Sequence, residues 1–487
     1  MPGSLHPGLP IVLAVAVCAL SADCAGRAPV RDVSQTADVE PLIRQGCYSC
    51  LEAAFRLASA AGARTAAFEA SVLLTLRSKE LGLPFADWLE RARALAPANP
   101  GWSDYVRIAE AVPADPLSAD RDAILLTRRP ARTALDEWRA LLAAGPGSPV
   151  FRTYLDLSLV CGPALVDDRE QALTHAIERF DGVPLVAYRA GICGRTTLLD
   201  DLARQDGQFP DVHLELGRAR LQRERPDYDE ALAHLDRAHT AFPSSATIIA
   251  MIGAIRQQRE EWAEALAAYE ATLALVSTHR DALLGAAISL SYLTRHDDAI
   301  VPASRLLELG SWFIADAYYW RAWNEYRLGR IEAARADVDR SRALSREAPT
   351  LVLSGIIAWR ERRLDAADAE FQEALNLDFG QCEAATYLGG VRAEQRRWQE
   401  SLAAFQHAAQ CFELAVITRR KALAELIAGV ESASAVARQV ASHQRAIAEA
   451  EARRAEAVAS IASIEPRITP YTGGETEQAP SLPGRAD

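Results

Sequence analysis

Two cysteines three residues apart, in Cys47-Tyr48-Ser49-Cys50, form the constellation in this chain best suited to chemistry. A CxxC can act as a redox dithiol, as half of a zinc site or as a haem anchor. Haem attachment needs a histidine next, and Leu51 stands there. A structural zinc needs a second pair at similar spacing, and the sequence has none. A dithiol at a helix start would have a lowered pKa, but no thioredoxin-like βαβ pattern surrounds this one. The expectation is a structural disulfide or two packed thiols, with a thiol oxidoreductase using Cys47 and Cys50 as the alternative. Other catalytic signatures are missing from the sequence: HExxH, the phosphate-binding G-x4-G-K-[ST], GxSxG and a dinucleotide glycine fingerprint. Gly191-Ile192-Cys193-Gly194-Arg195-Thr196-Thr197 lacks both the glycine spacing and the lysine of a phosphate loop. The nine histidines are scattered, with no pair at ligand spacing on one helix face, and His175 and His234 read as surface or packing residues. The expectation is a non-enzyme with no cofactor and no metal.

The elements that would carry any site are helical. Alanine, leucine, arginine and glutamate dominate while β-branched runs are scarce, which favours helix on propensity alone. At 487 residues the chain is too long for one compact core, so several units or a stack of repeats are expected. A formal net charge of −12 opposes a nucleic-acid partner, whose affinity comes from neutralised phosphates.

Self-similarity organises the second half. From Cys382 to Glu413 the chain reads Tyr387-Leu388-Gly389, then Trp398, Ser401, Phe405 and Ala408. Small residues recur upstream at Gly217, Gly253, Ala287, Ala322 and Gly355, and a second series runs Ala231, Ala265, Ala299, Ala334, Ala367 and Ser401. Steps in the second series are 34, 34, 35, 33 and 34 residues. Four residues after each of these stands Leu235, Tyr269, Ala303, Val338, Phe371 or Phe405. The physical reading is two antiparallel helices that approach where side chains are small, with a bulky neighbour filling the gap. This skeleton resembles the tetratricopeptide family, which places Leu-Gly in a first helix and Ala-x3-Phe-x2-Ala in a second.

The resemblance implies an all-α solenoid, with first helices lining a concave surface that holds a protein or peptide segment. In the family's register the residues pointing there are Tyr292, Tyr319, Trp323, Tyr326, Arg327, Trp359 and Arg360, with Asp316 beside them. Aromatics and arginine dominate binding hot spots. Family members that clamp a C-terminal carboxylate use Lys and Asn at inner positions occupied here by Leu284, Ile288, Tyr319 and Trp323, so apolar and stacking recognition is expected instead. The same register puts Cys382 and Cys411 at adjoining ends of one hairpin, and Cys161 and Cys193 have a similar separation. Both pairs are disulfide candidates in an oxidising compartment.

Six such repeats are assigned to 206–415, divergent helical repeats to 39–205, and a C-terminal helical hairpin or cap to 416–465. Residues 466–487 have almost nothing to bury and are expected to be disordered. Leu9 to Ala22 reads as the apolar part of a secretory signal ending at 23, and 24–38 as a linker. Leu20-Ser21-Ala22-Asp23-Cys24 resembles a bacterial lipoprotein cleavage box with Cys24 as the lipidated residue; Asp23 stands where that pattern has a small residue, so soluble export is the alternative. The expected role is a scaffold or adaptor at the cell envelope, touching membrane only through such an anchor. The alternative is a cytoplasmic regulatory protein. The sequence sets no oligomeric state.

Overall fold

The computed structural model describes residues 39–99, 101–112, 132–161, 169–205, 209–223, 226–310, 313–428 and 437–468. The leader, Cys24, the 24–38 linker and the tail past Ile468 lie outside them. Every regular element among the described residues is an α-helix. The N-terminal helices are Val39–Gln45 (α1), Tyr48–Ala60 (α2), Arg64–Glu80 (α3), Ala86–Leu95 (α4), Trp102–Ala111 (α5), Arg132–Ala144 (α6), Pro149–Val160 (α7), Arg169–Arg179 (α8), Pro184–Ile192 (α9) and Thr197–Ala203 (α10). Six hairpins follow: Val212–Leu221 with Tyr228–Ala241 (α11, α12), Ala246–Gln258 with Trp262–Leu275 (α13, α14), Arg280–Tyr292 with His296–Leu309 (α15, α16), Ile314–Arg327 with Ile331–Leu344 (α17, α18), Ala348–Arg360 with Leu364–Leu377 (α19, α20), and Cys382–Glu394 with Trp398–Ala428 (α21, α22). Ala437–Ile468 (α23) closes the series.

Each hairpin is locked by the small-against-bulky pattern. Ala231, Ala265, Ala299, Ala334, Ala367 and Ser401 are all fully buried. A Cβ at Gly355 would stand 2.6 Å from the Phe371 ring, and one at Gly389 would stand 2.8 Å from Phe405, so these helices touch where the glycines are. Ser401 Oγ donates to the Gly389 carbonyl at 2.7 Å, which satisfies a hydroxyl inside that contact. In the second to sixth hairpins the turn before the second helix contains one left-handed residue: Glu260, Thr294, Gly329, Arg362 and Arg396. In the third repeat α16 runs unbroken through the buried Pro302, which removes one helical hydrogen bond. Successive first helices (α13, α15, α17, α19, α21) touch one another, and the second helices splay apart. That asymmetry curves the stack and puts the first helices on its inner side.

Two features at the C-terminal end depart from a repeat-then-hairpin division. No break falls at 415–416, because the sixth repeat's second helix continues to Ala428 as one 31-residue element. Helix α23 then packs back along α22 and passes through Pro466 to Ile468.

The N-terminal helices share one apolar core running from Ile43 to Cys193. Where this core meets the repeats, Arg77 is fully buried with its guanidinium carbon 3.6 Å above the Tyr188 ring. It is ion-paired with Asp211 and, at 2.8 Å, with Glu80. Glu80 also accepts from Arg189 at 2.7 Å and from the Tyr154 hydroxyl at 2.8 Å. Asp211, at the entrance to α11, accepts from the Tyr48 amide at 3.1 Å. Charges this deep are retained only with partners, and deleting one partner of such a network costs about 3–5 kcal/mol. The network joins α2, α3, α7 and α9 to the first repeat. Lys79 ends α5 in the same way, donating to the carbonyls of Ala109, Glu110 and Val112; burial pushes its amine down to about 8.

Three cysteine pairs are disulfide-bonded: Cys47–Cys50, Cys161–Cys193 and Cys382–Cys411, with Cα atoms 5.0, 5.4 and 5.4 Å apart. Cys47 and Cys50 lie behind Tyr188, Leu199 and Phe209 and are only 3% and 9% exposed.

Candidate partner-binding groove

The inner face of the fourth and fifth repeats is where the aromatic and arginine positions converge. On α17, Tyr319 and Trp323 are half-buried and Tyr326 is buried; on α19, Val352 and Ile356 are buried and Trp359 is half-buried. All six belong to one apolar cluster that continues to Tyr387 and Leu388 of α21. Trp359 is pinned in place: its indole N–H donates to Glu394 at 3.0 Å and its ring stands edge-on to Tyr387 at 6.2 Å. Gly390 gives it room, since a Cβ there would come within 2.7 Å of the indole. The two arginines flank the strip. Arg327 lies 6.0 Å from the Trp323 ring and Arg360 lies 5.5 Å from Tyr326, both with exposed head groups, an arrangement in which stacking adds to charge.

Tyr292 lies outside that cluster but reaches the strip through Trp320, whose ring is 5.9 Å from Tyr292 and 5.3 Å from Tyr319. It stacks flat on Trp262, with ring centroids 4.0 Å apart, and stays 55% exposed at the end of α15. Trp262 opens the second helix of its repeat, so the family's register gave no reason to place it beside Tyr292. Asp316 stands near the start of α17, and partial desolvation of its carboxyl, then Glu347, raises it above the usual carboxylate value. Tyr318 and Trp320, on the same helix, are half-buried.

The sequence signal also missed what fills the groove. Helix α23 presents Ala457 to the cluster that holds Tyr326, Val352 and Ile356, with Ala450 packed against it. Farther along, Ile464 packs with Ala393 and Phe405, and Arg467 lies 4.9 Å over Trp398. At its other end Ser442 donates to Glu260, and Gln439 lies against Asp229 and Arg259.

A histidine pair was also invisible to the one-face criterion, because its members sit on different helices. His213 of α11 stacks on His234 of α12, with ring nitrogens Nδ1 3.0 Å apart. Burial, then His234 and Arg237, push His213 down to about 4. The nearest carboxylate, Glu230, is 3.9 Å from His234. Among the described residues no group of three or more His, Cys, Asp or Glu side chains could hold a metal ion, and no helix is long and apolar enough to cross a membrane.

No protein-family model and no curated protein matches the chain. Among solved structures it is similar to YrrB, a TPR protein described as having an unusual peptide-binding site, at 20% identity over 36% of this chain and 91% of that one, with a TM-score of 0.31. It is similar to MamA at 20% identity over 34% of this chain and 96% of that one, with a TM-score of 0.30. A tetratricopeptide repeat protein from Parabacteroides merdae gives 16% identity over 50% of this chain and 93% of that one, with a TM-score of 0.38. Scores at this level carry no weight, and the fold rests on the chain's own helix register and packing. By that register and packing, the chain is an all-α solenoid built on tetratricopeptide-type hairpins.

Proposed function

We propose that this protein is a non-enzymatic scaffold that holds a segment of another protein in the groove lined by its first helices. The observation that carries this reading is the continuous strip of Tyr319, Trp323, Tyr326 and Trp359 across adjacent repeats, flanked by Arg327 and Arg360. Large aromatics beside arginine are the residue types on which binding energy concentrates. Each buried ring contributes about 1.5–3 kcal/mol from area alone, so two or three support micromolar binding after association costs. The net charge of −12 opposes a nucleic-acid partner.

An exported location, tethered through Cys24 or freely soluble, is the compartment this reading favours. Its support is the leader-like N-terminus and the three cysteine pairs, bonds that persist in oxidising compartments. Mass analysis of the mature N-terminus tests it: a lipid-bearing Cys24 or cleavage near it agrees, and an intact Met1 start refutes export. Affinity capture from the producing cell with wild type and with Trp323→Ala/Trp359→Ala tests the groove. Loss of the stoichiometric partners is expected, and an unchanged partner set would show that the site lies elsewhere.

A further inference from the structure

Repeat arrays are quasi-one-dimensional, each unit touching only its neighbours. Helix α23 breaks that rule, since its hydrogen bond from Ser442 to Glu260 spans 182 residues and Gln439 lies against Arg259 and Asp229. It runs from the second repeat to the sixth across the inner face. Its inward seam is Ile447, Ala450, Ala457, Ser460 and Ile464, in which 450, 457 and 464 are spaced by seven. Most other positions are exposed, so the helix is amphipathic with a narrow seam.

Apart from its packing along α22, the attachments of this helix to the repeats are of a kind that lets go. Alanine and serine at the middle of the seam offer little apolar area. The ion pairs to α22, Arg420–Glu451 and Arg454–Glu413, have both partners substantially exposed and contribute little in water. The far contacts, from Ser442 and Gln439, are polar. The helix is seated chiefly by its packing along α22, to which it is joined in sequence, so once lifted off the repeats it stays close to them.

We propose that α23 is the built-in occupant of the groove, and that the partner segment is an amphipathic α-helix with small residues at seven-residue spacing, which enters by displacing it. This rests on the groove reading above and adds its regulation and its ligand class. The apolar cluster that carries the strip already takes in one helix through Ala450 and Ala457, and a second of the same pattern offers the same small residues to it. Free partner helix and seated α23 are therefore competitors, and only a partner that exceeds the tethered helix gains entry.

The test uses full-length chains and, as probe, a fluorescein-labelled synthetic peptide of residues 437–468. Wild type should bind it at least ten-fold more weakly than Ala450→Arg/Ala457→Arg, in which the resident seam is blocked. Adding Trp323→Ala/Trp359→Ala to that opened chain should weaken peptide binding at least ten-fold again. Hydrogen exchange supplies a readout independent of the variants: in wild type, amides of 437–468 should exchange at least ten-fold faster than those of 348–360. Equal peptide binding by wild type and opened chain, or equal protection of the two segments, would overturn the displaceable occupant and leave the groove reading intact. Peptide binding that is gained on opening but indifferent to Trp323 and Trp359 would instead sink the groove reading. A wild-type mass of two chains that falls to one in the opened variant would overturn the intramolecular occupant in favour of helix exchange between copies.

Discussion

Replacing Gly355 with alanine separates close packing from helix propensity, because the two push in opposite directions. In an exposed helix interior this change is worth about 1 kcal/mol of added stability. Here the new methyl would stand 2.6, 2.8 and 2.9 Å from Cε1, Cδ1 and Cζ of Phe371, a fully buried ring with nowhere to swing. Overpacking of this kind costs about 1–3 kcal/mol, and three ring atoms met at once place it near the top of that range. The expected net effect is a loss of about 2 kcal/mol. Urea denaturation gives the total, and hydrogen exchange over 348–377 shows whether the loss is local, since repeats of a solenoid need not unfold together. Phe371→Leu should relieve the clash, giving a coupling of about 1–2 kcal/mol in the double-mutant cycle. A Gly355→Ala chain as stable as wild type, or a cycle with no coupling, would refute the account of how these hairpins close.

Three further outcomes are expected. Eight cysteines less the six paired ones leaves at most Cys18 and Cys24 as thiols in the denatured, unreduced chain, and Cys382→Ser/Cys411→Ser should cost about 2–4 kcal/mol; counting six or more thiols contradicts the pairing. His213 is held at about 4 against 6.5 for the free side chain, so its contribution is complete above pH 6.5 and is lost as pH falls towards 4. The ceiling is about 3 kcal/mol and the ring is partly exposed, so wild type should lose about 1–2 kcal/mol more than His213→Asn between pH 7 and pH 4.5, and parallel pH profiles would exclude this. Arg362 holds a left-handed conformation with φ 64° that glycine adopts without strain, so Arg362→Gly should gain about 0.5–1 kcal/mol in thermal or urea unfolding, where a loss would point to the ion pair with Glu394 instead.

The repeat array was legible because each hairpin encodes its own contact locally. Gly355 and Phe371, or Gly389 and Phe405, are sixteen residues apart and recur with the period, so the pattern is visible without any partner helix. The N-terminal third was harder to read for a physical reason: Glu69, Arg77, Lys79 and Arg189 are buried charges, and they interrupt the apolar spacing that marks a helix face. The strip of Tyr319, Trp323, Tyr326 and Trp359 followed from register, whereas the stacking of Tyr292 on Trp262 did not, because Trp262 stands on a second helix. Nothing local announces α23 in the groove. Its seam is mostly alanine, common on any helix, and its partners lie up to 210 residues away.

The bond between Ser442 and Glu260 also has a mechanical consequence. An open superhelix lengthens under tension by spreading its turns, at almost no cost per turn. A strut from the second repeat to the sixth adds contacts that must break before the array between them can extend. Pulling this molecule from both ends would therefore meet a threshold before any stretch.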